Sequence, residues 1–325
     1  MYYSIFGPYI AKFIALKNSL GYKYNDGGWA LSLFDRLAYS KDVGKLEITK
    51  ELAEEYSVLR PNEKEKTRYN RVVIVSQFAR FLNDLGFRCC PPRCAPAKRT
   101  YIPYVFTREQ IKEIFKVCDN LEICICNRNT AVSAMPAIIR LLYGTGVRVG
   151  EAVKLKHGDV DLSGNKLILR QTKNGTDRMV PFSESLAETL RGYLKHRDLI
   201  PAIKKADTFF IKPDGSPIAM NSVYKWFRRI LYKANIPFRG RGLGPRPHDL
   251  RHTFCVHTLA QMSGKGLDLY CSLPVLSTYL GHRTLRGTDV YVRLTAEMYP
   301  DLVKKTSFIC ARVFPNIKTG NHETN

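Results

Sequence analysis

The stretch CCPPRCAPAKRTYIPYVF, residues 89 to 106, constrains the fold more than any other part of the chain. Pro91, Pro92, Pro96 and Pro103 each remove a backbone donor and block helix continuation, so no helix runs through it. Helical periodicity lies on both sides. The chain therefore reads as two bodies joined by an extended segment, and 325 residues, about twice an ordinary domain, supply a core for each.

Before this break, segments 6 to 21, 28 to 40, 47 to 58 and 64 to 86 place apolar residues three and four apart, as in Val73, Val75, Phe78, Phe81 and Leu82. This predicts an all-helical first domain over 1–90, followed by a linker over 91–103 made basic by Arg93, Lys98 and Arg99. At Thr107 a hydroxyl three residues before Gln110 predicts a capping box, with Ile111, Ile114 and Phe115 on one face behind it. Further helices are expected at 131–144, from about 149, and at 184–197, 221–235, 248–263, 273–281 and 286–293. Between them the period changes to two. Lys166 to Gln171 and Arg178 to Phe182 alternate around Lys173-Asn174-Gly175, and Asn-Gly is the strongest short hairpin signal. The expected class is mainly α with a small antiparallel β-sheet, the second domain running over 104–314 and a polar, disordered tail over 315–325.

Lys and Arg number 51 against 29 Asp and Glu, a net charge of +22. The excess is not a tail: the first hundred residues hold 17 basic and 10 acidic side chains, which leaves 34 and 19 for the remainder. Both halves can meet a phosphate backbone, and nucleic acid is the expected partner. Arg239, Arg241 and Arg246, in a glycine-rich connector, join Arg93, Lys98 and Arg99 as candidate DNA contacts. No apolar run approaches a membrane span and no basic-then-apolar leader opens the chain, so a cytoplasmic protein is expected. Nine cysteines at irregular spacing argue for free thiols over a disulfide scaffold, and CCPPRC lacks a matching Cys/His pair at zinc-finger spacing.

Four stretches of the second half stand in a definite order: Gly144-Thr-Gly-Val-Arg148-Val-Gly-Glu151; Thr172-Lys173-Asn-Gly; His248-Asp-Leu-Arg251-His252; and Leu280-Gly-His282, followed nine residues later by Tyr291. Together they resemble the tyrosine recombinases, or phage-type integrases, over about residues 104 to 295. The resemblance implies that Arg148, Lys173, His248, Arg251 and His282 are catalytic, that Tyr291 is the nucleophile, and that Glu151 supports the site. Gly150 stands where many relatives have Ser. The resemblance further implies site-specific cutting and rejoining of duplex DNA through a 3′-phosphotyrosyl link and a Holliday junction, by a homotetramer of C-shaped clamps on two sites. A mobile-element origin, accessory proteins and a helical core-binding role for the first domain belong to the same expectation.

The residue types suit that chemistry. Phosphodiester cleavage gathers negative charge on the nonbridging oxygens of a five-coordinate phosphorus, and fixed guanidiniums aimed there favour the transition state. Arg148 and Arg251 would supply this charge and would favour the phenolate of Tyr291. His248 would take the phenol proton, His282 would donate a further hydrogen bond, and Lys173 would protonate the leaving 5′ oxygen. No metal or other cofactor is then needed. Three other readings share parts of the pattern: a type IB topoisomerase, a non-catalytic basic DNA binder, and a zinc hydrolase built on His248 and His252 with Asp249. The full Arg, Lys, His, Arg, His, Tyr set favours the recombinase. His252 and His257 are expected to be structural or DNA-facing.

Overall fold

The structure is a computed structural model, which describes residues 2–299 apart from 23, 98–101, 128, 171, 173, 174, 176, 241, 242, 283 and 285. It divides into two compact units, residues 1–100 and 101–325. Among the described residues no helix is long and apolar enough to cross a membrane.

The first unit is four helices: α1 (Gly7–Ser19), α2 (Asn25–Ser40), α3 (Lys50–Ser57) and α4 (Glu65–Asp84). Their apolar stripes meet in one core of Phe6, Phe13, Phe34, Val75 and Phe78, with Tyr56 and Leu82 beside them. The buried Arg71 of α4 is neutralised by Glu63 at 2.7 Å and donates to the carbonyls of Tyr56 and Val58, so a charge is paired where α3 ends. Cys89, Cys90 and Cys94 are free thiols, and Arg93 is exposed on a hollow of about 630 Å³ with Lys50 and Arg68.

The second unit opens with α5 (Arg108–Asp119), whose capping box is as expected: Gln110 N–H donates to the Thr107 hydroxyl at 3.2 Å and Thr107 N–H to the Gln110 side chain at 3.0 Å. A 3-10 turn (Val132–Ala134) leads into α6 (Met135–Thr145), and α7 (Val149–Lys154) follows. Strands β1 (Val160–Asp161), β2 (Lys166–Leu169) and β3 (Arg178–Pro181) form an antiparallel sheet in the order β1-β2-β3, with Leu167 opposite Val180 and Leu169 opposite Arg178. β1 was not anticipated, because two residues carry no period. Helices α8 (Glu184–Asp198), α9 (Met220–Lys233), α10 (Pro247–Gly264), α11 (Leu269–Leu280) and α12 (Arg286–Met298) complete the described part.

Two boundaries differ from expectation. α11 begins four residues early, since Asp268 caps it by accepting from Cys271 N–H at 3.0 Å, and Pro274 is carried inside the helix. α12 continues past residue 293. Leu294 is buried with Cys255, Leu276 and Tyr291, and Met298 packs on the same cluster.

Candidate active site

α7 begins at the Arg148 turn and carries Glu151 in its first turn. The Arg148 backbone N–H donates to Glu151 Oε2 at 2.9 Å and its guanidinium to Oε1 at 2.8 Å. Arg178 of β3 grips the same carboxylate from the other side, Nη1 to Oε1 at 3.1 Å and Nη2 to Oε2 at 2.8 Å. Burial works to raise the carboxyl's pKa, but the Arg178 hydrogen bonds, the Arg148 amide and both positive charges outweigh it and hold Glu151 at about 2. Glu151 is thus an anion that orients two guanidiniums.

Arg251 of α10 is 2 % exposed. Its Nη1 donates to Gly146 O at 2.7 Å, and its Nη2 to Leu280 O at 2.9 Å. These carbonyls belong to the turns before Arg148 and His282. Gly146 ends α6 at φ +61, and a Cβ there would meet the Phe254 ring at 2.5 Å, so only glycine fits. Burial lowers the Arg251 pKa, yet a guanidinium starts so high that it stays charged.

Nη2 of Arg251 also lies 3.0 Å from His282 Nε2. Arginine only donates, so Nε2 is an acceptor here, and the ring proton sits on Nδ1, 2.9 Å from Thr288 Oγ1. In this geometry His282 therefore receives a hydrogen bond where it was expected to give one. Burial first, then Arg251 and Arg148, push its pKa to about 4.

Tyr291 lies within α12, 3 % exposed, its ring nearly parallel to His282 with centroids 6.4 Å apart. The imidazole hydrogen-bonded to its phenol is His252 and not His248: His252 Nδ1 stands 3.1 Å from the Tyr291 oxygen. The two histidines are one helical turn apart, and their rings meet edge to face at 4.9 Å. The imidazole expected against the phenol at 248 is thus found at 252. Burial, ahead of the neighbouring guanidiniums, pushes His248 to about 4; burial and the His248 ring push His252 to about 3. Both are neutral bases at neutral pH.

The phenolate expectation is also corrected. Burial raises the Tyr291 pKa above its ordinary value, the buried Cys255 thiol adds to this, and Arg251 offsets it only in part. Tyr291 is thus held as a neutral phenol.

Other candidates fall elsewhere. Arg246 is half-buried beside Asp249, whose carboxylate accepts from the Arg246 backbone N–H at 2.7 Å and so caps α10. Asp249 is engaged in that cap and His252 with Tyr291, which removes two members of the zinc-hydrolase reading. Among the described residues no group of three His, Cys, Asp or Glu could hold a metal ion. Arg239 is exposed, its guanidinium 5.2 Å from the Tyr104 ring centre, and Arg93 belongs to the first unit. His257 bonds Tyr143 at 2.9 Å and ties α10 to α6, a structural part as expected. Lys173, Lys98, Arg99 and Arg241 lie outside the described residues.

Residues 104–298 match the model of the phage integrase family. This chain belongs to that family. Within it, the chain is 28% identical to y4rB of Sinorhizobium fredii, named provisionally as an integrase/recombinase, over 93% of this chain and 97% of that protein. It is 32% identical to the tyrosine recombinase XerC of Bacillus pumilus over 62% of this chain and 61% of that one. Among solved structures, the XerH site-specific recombinase in a post-cleavage complex with palindromic difH substrate matches 86% of this chain and 78% of its own at 20% identity, with a TM-score of 0.63. The Tn1549 transposon integrase with transposon right-end DNA matches 87% and 94% at 18% identity, with a TM-score of 0.61. At such identities the likeness is one of fold.

In this phage integrase family member two site neighbours, Arg178 and Cys255, escaped the sequence reading, and a third, His252, was read as structural or DNA-facing. His252 adjoins Arg251 and lies at i+4 from His248, a spacing that aligns side chains on one helix face. Arg178 could have been noticed as a charge beside a strand of otherwise apolar residues. Cys255 offered no signal.

Proposed function

We infer that this chain is a site-specific tyrosine recombinase that breaks and rejoins duplex DNA through a 3′-phosphotyrosyl intermediate. One observation carries the reading: the phenol of Tyr291 meets the ring of His252 at 3.1 Å and stacks beside His282, which in turn accepts from the buried guanidinium of Arg251. Tyr291 Oη attacks the phosphorus and passes its proton to His252, while the bond to the 5′ oxygen breaks. Arg148 and Arg251 stabilise the charge on the nonbridging oxygens, Glu151 and Arg178 hold Arg148 in place, and Lys173, by resemblance, protonates the leaving oxygen. The new ester conserves the energy of the old one, and the released 5′-hydroxyl of a partner strand reverses the step to form a Holliday junction. No cofactor enters this scheme, since the cations and the proton come from side chains.

The chain's +22 charge supports duplex DNA as substrate. In this reading residues 1–90 are a core-binding domain, 91–103 a linker contributing Arg93, Lys98 and Arg99, 104–314 the catalytic domain and 315–325 a tail, with Arg239, Arg241 and Arg246 on the phosphate backbone. Four protomers act on two sites in the cytoplasm, on a mobile element.

The test is covalent trapping. Incubated with genomic fragments and denatured, the wild-type chain should retain DNA through Tyr291, sequencing of that DNA should give a recurrent site, and two such sites should exchange strands. Tyr291→Phe should bind the same DNA and retain none. Retention by the Phe variant would refute the nucleophile, and relaxation without exchange would refute recombination.

A further inference from the structure

The loop between α5 and the 3-10 turn at Val132 reads Leu121-Glu-Ile-Cys124-Ile-Cys126-Asn127, and nothing in the recombination chemistry uses it. Cys124 and Cys126 are both exposed, and their sulfurs stand 2.8 Å apart. Ile125 between them is 85 % exposed, and the short sulfur–sulfur distance puts the two thiols on one side of the turn.

This juxtaposition is built. Asn127 accepts the Cys124 backbone N–H at 2.9 Å and donates to Glu122 O at 3.0 Å, which fixes the backbone under both sulfurs. The loop is tied to α9 by Trp226, whose indole N–H donates to Thr130 Oγ1 at 3.1 Å. Beside the pair lies a hollow of about 310 Å³ that Trp226, Arg229, Tyr232 and Lys233 line from α9. Cys124 lines the same hollow and so opens to solvent on that basic side.

The distance selects the chemistry. Two thiolates on one tetrahedral zinc, each bonded at about 2.3 Å, stand about 3.8 Å apart, farther than this pair. A disulfide needs about 2.04 Å, a contraction of only about 0.8 Å. Cys124 is the thiol that lines the hollow, and the hydrogen bond from Cys126 shifts it toward thiolate, which assigns it the first attack. By contrast Cys118 and Cys255 are buried, and burial pushes each to about 12.

We propose that Cys124 and Cys126 form a reversible dithiol–disulfide site, oxidised by hydroperoxides. The Cys124 thiolate attacks the terminal oxygen of the peroxide, the O–O bond breaks, and Cys124 becomes a sulfenic acid while the displaced alkoxide or hydroxide takes a proton. The Cys126 sulfur then attacks Cys124 Sγ, the S–O bond breaks, and water leaves with the Cys126 proton. The sum is two thiols and one hydroperoxide giving one disulfide, one alcohol or water, and one water, with two electrons passed from sulfur to oxygen. Because the partner sulfur is already in place, the second step outruns capture by an external thiol.

The full-length chain, reduced and then exposed to hydrogen peroxide, is capped with N-ethylmaleimide and digested with trypsin. Peptide 117–128 should lose two hydrogens and escape capping at both Cys124 and Cys126, roughly tenfold faster than exposed Cys271 loses its own thiol, and dithiothreitol should reverse it. Cys126→Ser should stop at the sulfenic acid and take a dimedone label at residue 124, while the wild type takes none. Loss of Cys124 and Cys271 thiols at equal rates, or dimedone labelling of the wild type, overturns the proposal.

Discussion

The phenol of Tyr291 and Nδ1 of His252 stand 3.1 Å apart, between the middle of α12 and the second turn of α10. With Nδ1 unprotonated the phenol donates, which in the proposed reaction sets the pair for transfer of the proton that attack releases. His252→Gln should therefore slow cleavage by about 10²- to 10⁴-fold in single-turnover assays, with DNA affinity nearly unchanged. His248→Gln should slow it less, because its ring reaches the phenol only through His252. Equal losses at the two positions would return the base to His248.

Arg178 and Glu151 are nearly buried, and the carboxylate depends on that guanidinium for two of its hydrogen bonds. Arg178→Ala leaves a buried anion with one partner and should cost roughly 3 kcal/mol in denaturant melts. Glu151→Gln in the same background should recover part of the loss. A double-mutant cycle reads the coupling directly, and simple additivity would mean that the two side chains act independently.

Acid should weaken the fold from well above the carboxylate range. Unfolded histidines take up protons near pH 6.5, whereas folded His248 and His282 hold off until about 4 and His252 until about 3. Unfolding therefore binds protons throughout that window, and stability falls as the pH drops across it. Glu151, held at about 2 against an ordinary 4.5, continues the decline at lower pH. Thermal melts between pH 7 and 4 should show the slope, and His252→Gln should flatten it. A Tm independent of pH over this range would contradict the buried neutral imidazoles.

Lys173→Ala should cut ordinary DNA very slowly and a substrate with sulfur at the 5′ bridging position at near the wild-type rate, because a thiolate leaves without a proton. Equal loss on both substrates would assign the lysine to positioning or binding.

The architecture was legible wherever one local signal sufficed. The Thr107 cap, the two strands flanking Asn174-Gly175 and the three- and four-residue periods of α1 to α4 each depend on neighbours in sequence, and all appear in the structure. The site was legible as an order of motifs and less so as a geometry. Which imidazole touches Tyr291 depends on how α12 lies against α10, and the phenol's protonation depends on burial by Leu294 and Cys255; neither is written in any one segment. The apolar Met298 was visible, but its partner was not, since a helix face names no neighbour.

Arg251 has a consequence beyond charge. Its two fork arms reach Gly146 O and Leu280 O, carbonyls 134 residues apart in sequence. A guanidinium held at both ends is aimed correctly only when both turns have closed, and one displaced turn leaves it pointing elsewhere. In the proposed reaction Arg251 is thus a coincidence detector, arming the phosphate site only after the two distant turns have come together.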